Sequence, residues 1–365
     1  MNEVSLNTIK NDSKASRILD LIRFLASLVV FLFHFYIPLP GYQVVMIFFV
    51  LSGYFISSSV LKAINDNKWS WFNYFLNRLI RLWIVLLPSL ILTFLWAKVQ
   101  FSIFGESKIS NYLSWKIFFG NLFFLQGISV PVYGLNGPLW SLSYEFWYYI
   151  IFPCLVLIIY SRKKSMKVFY AVIVIIILAF IGLKMNEYFL VWLLGAIIPF
   201  VKPMRFKINV INHLTIFLSA ILVLISMKAY AVFVNHPNLQ ILPDLCIGIA
   251  FSFFLYFVIS FFNNTSGKSK MNIPKYLAAF SYTLYLTHYP LAHFILTWRA
   301  SKYWTYSGIE SYVIKIMVMV VVILYAWLLG LLTEKHTEKV RKLLFGLFKS
   351  IPIKRKKSII INKYL

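Results

Sequence analysis

Long apolar runs separated by short polar or basic segments recur from one end of the chain to the other. Each run is close to the roughly 20 residues that a helix needs to cross a bilayer. Spans fall near 18–37, 43–62, 82–100, 138–160, 168–183, 187–201, 212–232, 241–262, 276–297 and 310–332. The pattern predicts an all-α integral membrane protein of about ten transmembrane helices, without internal repeats and without a soluble domain. Three regions follow: a cytoplasmic N-terminal segment (1–17), a multi-span domain (18–333) and a basic amphipathic cytoplasmic tail (334–365). Between the third and fourth spans, the run WKIFFGNLFFLQGI is too short to cross. It is expected to form a re-entrant or interfacial helix, which a membrane tolerates where protein covers the backbone. The tail alternates basic and bulky apolar residues and reads as a helix lying on the inner leaflet. The polar stretch before the first span is too long for a cleavable secretory signal, so that span is expected to stay.

Composition fixes the class. The chain is 61% hydrophobic, against about 45–50% apolar usage in soluble domains. A net charge of +25 would suit nucleic acid, but the basic residues are not scattered. Of the 36 Lys and Arg, only Lys98, Lys108, Lys116, Lys184, Lys228, Arg299 and Lys302 fall in segments expected outside. That asymmetry puts both termini in the cytoplasm and makes the excess a matter of topology and contact with anionic lipid, with no nucleic-acid partner. Cys154 and Cys246 lie in apolar runs without metal-ligand spacing and read as core residues; no metal site is evident.

Candidate chemistry begins with Arg23 and His34 in the first span. An ionisable side chain at membrane depth is costly and points to function. Eleven helical steps leave the two about 20° apart in azimuth and roughly 16 Å apart along the axis. A cation and an imidazole therefore share one helix face, as an elongated polar ligand entering lengthwise would require. Glu145, two turns into the fourth span, and His288, in the outer half of the ninth, are expected near the depth of His34. A neutral imidazole can take a proton from a hydroxyl, and a carboxylate on its far nitrogen would fix the tautomer. His34 is the candidate base, Glu145 its orienter, and His288 a second base or oxyanion donor. Ser52 has no base in obvious register, and Ser52-Gly53 reads as a small-residue helix contact. His213, His236, His293 and His336 lie at span edges or outside and read as solvated or interfacial.

Five stretches, in order, resemble acyltransferase family 3, membrane proteins that O-acylate surface glycans. They are LDLIRFLASLVVFLFH with Asp20, Arg23 and His34; IFFVLSGYFI with Ser52 and Gly53; FLNRLIRLWIVLLP with Arg78, Arg81 and Pro88; PLWSLSYEFWYYIIFP with Trp140, Ser141, Ser143, Glu145 and Pro153; and SYTLYLTHYPL with Ser281, Tyr282, His288 and Pro290. The chain departs from the family before the Phe-Phe of the second span, where it reads YQVVMIFF, and at Glu334-Lys335-His336, where the family has Pro for His. The resemblance implies acyl transfer, most simply acetyl from acetyl-CoA to a hydroxyl of a cell-surface or lipid-linked glycan, at the cytoplasmic (inner) membrane. No permanently bound cofactor is implied; acyl-CoA is a co-substrate, and membrane lipids surround the chain. Arg23, Arg78 and Arg81 are expected near the cytoplasmic face as donor-binding residues, since a guanidinium fork suits phosphate. CoA carries its phosphates and its thioester at opposite ends of an arm comparable to the Arg23-to-His34 rise. Trp140 and Tyr144 are acceptor-binding candidates, within an aromatic group that includes Trp147 and Tyr148. The rival reading is a transporter or flippase of a lipid-linked sugar, with Arg23, His34 and Glu145 as a polar pathway; inverted repeats, frequent in transporters, are not seen.

Overall fold

The computed structural model describes residues 6–10, 12–105, 108–204, 206–233, 241–266, 273–301 and 309–350. These form α-helices α1 (Lys14–His34), α2 (Val44–Asn65), α3 (Trp71–Phe104), α4 (Trp115–Leu122), α5 (Trp140–Tyr160), α6 (Lys164–Ile197), α7 (Asn209–Phe233), α8 (Ile241–Phe262), α9 (Ile273–Ala278), α10 (Ser281–Ser301), α11 (Ile309–Leu332) and α12 (Thr337–Ser350). No sheet forms among the described residues. Seven helices are long and apolar enough to cross a membrane, namely α2, α3, α5, α6, α7, α8 and α11, so this is a multi-pass membrane protein. The helices α1 and α10, each of 21 residues, carry the polar side chains that dilute their apolar character. Serine caps begin several elements: Ser13 accepts from Ser16 N–H at 3.1 Å, and Ser70 and Ser114 do the same for α3 and α4.

Two expected boundaries move. The third helix begins at Trp71 rather than near 82, so Arg78 and Arg81 stand within a 34-residue helix instead of at its entry. The expected ninth span divides, with α9 ending at Ala278 and α10 starting at Ser281. Helical geometry in α6 breaks at Gly182 (φ 79°, ψ 170°), a backbone region open mainly to glycine. The chain reverses there. Tyr170 meets Trp71 and Phe180 meets Trp147, whereas beyond the break Phe189 meets Tyr148 and Trp192 meets Phe152, so the second half runs the same way as α5. The two short expected spans correspond to these halves.

Close approach of α2 and the second half of α6 depends on two glycines. A Cβ on Gly53 would lie 2.0 Å from the Trp192 carbonyl oxygen, and one on Gly195 would lie 1.8 Å from that of Val50. Without side chains the backbones can touch, as small residues allow in membrane interfaces. Prolines leave other carbonyls free, because Pro has no N–H for the residue four positions earlier. Pro153 in α5 releases the Tyr149 carbonyl, which accepts from the Tyr74 hydroxyl at 2.9 Å. Pro290 in α10 releases the Leu286 carbonyl, which accepts from Ser89 Oγ at 2.8 Å and Asn136 Nδ2 at 3.1 Å. Each kink is thereby stitched to a neighbouring element.

The segment between α3 and α5 folds back along the bundle, in keeping with the expected re-entrant element. Trp83 Nε1 donates to the Leu122 carbonyl and Trp147 Nε1 to that of Phe124, while Phe124 stacks on Phe146 with ring centres 4.2 Å apart. Near the N-terminus, Asn7 N–H bonds the Pro199 carbonyl and Lys10 N–H bonds Asn263 Oδ1, strapping that segment across the ends of α6 and α8. Cys154 is buried as expected; Cys246 is exposed on α8 and is not a core residue.

Candidate active site

The helices α1 and α10 run side by side in the same direction, with Phe24 against Phe280 and Phe31 against His288. This register brings His34, at the last turn of α1, to His288, which is fully buried. His288 Nε2 lies 3.1 Å from His34 Nδ1. Carbonyls fix the protons. His288 Nδ1 donates to the Leu284 carbonyl at 2.6 Å, so its Nε2 carries the lone pair. His34 Nδ1 lies 2.9 Å from the Val30 carbonyl, so it is the protonated nitrogen and faces two acceptors at once. The lone pair of His34 is left on Nε2. Proton uptake there gives an imidazolium whose Nδ1–H is already held by Val30 and His288. Beyond the pair, the Tyr289 ring packs on His34 with centres 4.8 Å apart, and His293 Nδ1 lies 3.3 Å from Gln100 Oε1. His293 was expected at an interface; it is partly buried and paired.

Glu145 does not meet His34, a correction to its expected role as orienter. The start of α5 instead turns it toward α2. Its Oε1 accepts from Ser52 Oγ at 2.8 Å and from the Tyr149 hydroxyl, and Trp192 Nε1 donates to Ser52 Oγ at 3.2 Å. The carboxylate neighbour of Ser52, which sequence register did not reveal, is therefore Glu145. Gly53 makes the tight helix contact expected of it.

The three arginines converge. A cavity of about 110 Å³ is bounded by Arg23, Arg78 and Arg81, with Ser52, Glu145, Tyr149, Ser281, Tyr282 and Tyr285 also on its wall. Of the charged side chains lining it, three are Arg and one is Glu. Arg23 pairs with Asp20 at 3.6 Å and lies 4.2 Å over the Phe55 ring; Arg78 donates to Ser59 Oγ at 3.1 Å. Arg78 Nε is buried without a partner, and Arg81 is open. No carboxylate lies within ion-pair distance of Arg78 or Arg81 among the described residues. A polar cavity lined by three guanidinium groups, two of them outside ion-pair distance of any carboxylate among the described residues, is suited to an anion. It ends close to the histidines, because Tyr285, on its wall, stands one turn before His288 on α10. Its hydroxyl shares a 2.8 Å hydrogen bond with Ser141 Oγ, next to Trp140.

Trp140 and Tyr144 belong to an aromatic cluster at the same end as His34. Tyr42 stacks on Trp140 (centres 5.6 Å, planes 18° apart), and Tyr188 packs edge-on against both Trp140 and Tyr144. The Tyr42 and Tyr188 hydroxyls are hydrogen-bonded to each other, and Tyr188 donates to Asp244 Oδ2 at 2.7 Å. Asp244, in the first turn of α8, is 1% exposed. Sequence reasoning missed this acid, although a carboxylate inside the run ILPDLCIGIAFSFF was a visible signal.

A multi-helix membrane protein with an arginine-lined cavity reaching toward a neutral histidine pair is the class that fold and site define. The sequence model for the acyltransferase domain of acyltransferase family 3 matches residues 17–331, and the chain belongs to that family. A curated protein of Haemophilus influenzae (strain ATCC 51907 / DSM 11121 / KW20 / Rd), described as uncharacterized, is 26% identical over 136 residues, covering 36% of this chain. The match spans about half, 55%, of that relative's length. No solved structure matches. The chain is thus a multi-pass membrane protein of acyltransferase family 3.

Proposed function

We propose that this chain moves an acetyl group from acetyl-CoA to a hydroxyl of a cell-surface or lipid-linked glycan. It would do so at the inner membrane, as a ten-span bundle with both termini in the cytoplasm. The observation that carries the reading is the cavity that gathers Arg23, Arg78 and Arg81 and stops one turn of α10 short of the His34–His288 pair. In this scheme the phosphates of the donor meet the guanidinium groups and the acyl end extends past Tyr285 toward His34. The acceptor oxygen attacks the thioester carbonyl while His34 Nε2 takes its proton. As the carbon–sulfur bond breaks, the thiolate recovers that proton from the imidazolium. The His288 ring holds His34 in the reactive tautomer, and Trp140 and Tyr144 flank the acceptor. The division 1–17, 18–333 and 334–365 follows from the same topology, with α12 on the inner leaflet. The basic cytoplasmic excess and the polar residues of α1 and α10, tolerable where they face the bundle, support the ten-span count.

The test is transfer of labelled acetyl from acetyl-CoA to cell-envelope glycan in membranes holding wild type or His34→Ala at equal abundance. Label transferred by wild type and lost in the variant is the expected result. Equal transfer by both removes His34 from the reaction. No transfer by either, with movement of lipid-linked sugar across the membrane, favours the flippase.

A further inference from the structure

The hydrogen bonds among Tyr42, Tyr188 and Asp244 have a direction. A phenol has one hydrogen, and that of Tyr188 is given to Asp244 Oδ2. The bond between Tyr42 and Tyr188 is therefore donated by Tyr42. With its own hydrogen spent inward, the Tyr42 oxygen offers only lone pairs to whatever approaches it. Tyr42 and Trp140 are both partly accessible, whereas Tyr188 and Asp244 are buried. The cluster is thus an aromatic surface with a hydrogen-bond acceptor at its edge, backed by a carboxylate. Asp244 also keeps a buried oxygen, Oδ1, without a hydrogen-bond partner among the described residues, and leaving a buried acceptor unmet is costly.

Position ties this cluster to the histidines. Tyr42 lies in the link that leaves His34, and Gly41 packs directly against Phe33. Trp140 precedes Ser141, which is bonded to Tyr285 one turn from His288.

We propose that Tyr42, Tyr188 and Asp244, with Trp140, form a subsite for a polyhydroxylated ring such as a hexose unit. Trp140 and Tyr42 pack against the ring, and one ring hydroxyl donates to the Tyr42 oxygen. The subsite selects a free hydroxyl at that position over a deoxy or O-substituted one, because a site built to accept a hydrogen bond is left unpaired by an analogue that lacks it. As the acceptor subsite, this assignment rests on the acyltransferase reading; as a sugar site, it does not.

The experiment separates the two. Wild type, Tyr42→Phe and Asp244→Asn are placed in nanodiscs, and saturation-transfer NMR is recorded with methyl glycosides of common hexoses and their deoxy analogues. Empty discs serve as the control. Saturation of ring protons in wild type, weakened in both variants and weaker for one deoxy analogue, is the expected result. Tyr42→Phe keeps the aromatic surface and removes only the oxygen, so it reads the hydrogen bond rather than folding. No glycoside signal in wild type, or equal signals in wild type and Tyr42→Phe, overturns the subsite. In the transfer assay, the same variant should raise the acceptor KM about tenfold with little change in kcat or in the acetyl-CoA KM. Glycoside binding without acetyl transfer would sink the acyltransferase reading and leave the sugar site standing. Acetyl transfer with an unchanged acceptor KM would do the reverse.

Discussion

The arginine cavity and the histidine pair stand a turn apart on α10 and handle charge in opposite ways. On the cavity wall, three guanidinium groups stand with one carboxylate, Glu145, which Ser52 and Tyr149 hold; Arg23 is paired with Asp20, and Arg78 and Arg81 have no carboxylate within ion-pair distance among the described residues. The guanidinium groups of Arg78 and Arg81 are thus left without a direct ionic contact at the cavity wall. Around His34 there is no formal charge partner among the described residues: both Nδ1 atoms donate to helix carbonyls, and the second ring accepts what the first has left. A ligand that arrives charged is best held by fixed charge of the other sign, whereas a proton that must come and go needs a network that is neutral before and after. Under the proposed function, the contrast gives one helix face of α1 a use for both an arginine and a histidine at different depths.

The largest effect should come from breaking the histidine side alone. His34→Ala should lower kcat by about 10²- to 10⁴-fold, the usual contribution of a positioned base. Retention of a radiolabelled CoA analogue on purified protein should be nearly unchanged, because the arginines are intact. The converse variant, Arg81→Lys, keeps a charge but loses the planar fork. It should raise the acetyl-CoA KM by about tenfold, at a cost near 1.4 kcal/mol, while altering kcat little. If Arg81→Lys instead lowered kcat as far as His34→Ala does, the two regions would not be separate devices.

The sequence made the two regions visible unequally. Long apolar runs and their basic flanks sufficed for a multi-span helical protein, because bilayer thickness dictates run length directly. Arg23, Arg78 and Arg81 were recognisable as a set from their shared end of the spans. The partner of each group was not, because helix pairing depends on rotation about each axis, which periodicity alone does not fix across helices. Thus Glu145 was expected on His34 and went to Ser52, while His288 took the place facing His34. The reversal at Gly182 was legible as two short runs. The length of α3 was not, since a polar stretch around Arg78 looked like a loop. Asp244 stands out in the sequence as an acid in an apolar run, but its meaning depends on Tyr42 and Tyr188, which lie 202 and 56 positions away.

Smaller effects should distinguish how each region is braced. The Leu286 carbonyl, two residues before His288 and freed by Pro290, accepts from Asn136 as well as Ser89. Asn136→Ala should leave that buried group half satisfied and unsettle the histidine side, costing about 1–3 kcal/mol. A fall in the midpoint of detergent or thermal unfolding, together with a lower kcat at unchanged acetyl-CoA KM, would bear this out. Its counterpart on the cavity side is Tyr74→Phe, which removes the hydroxyl donated to the Tyr149 carbonyl beneath Pro153. The ring stays and Ser52 still holds Glu145, so the loss should be smaller, about 0.5–1.5 kcal/mol. It should show as a modest rise in the acetyl-CoA KM, because Tyr149 lines the cavity and bonds Glu145. Were Tyr74→Phe to lower kcat with the donor KM fixed, the brace at Pro153 would serve the histidine pair, and the line between the two regions would have to be redrawn through α5.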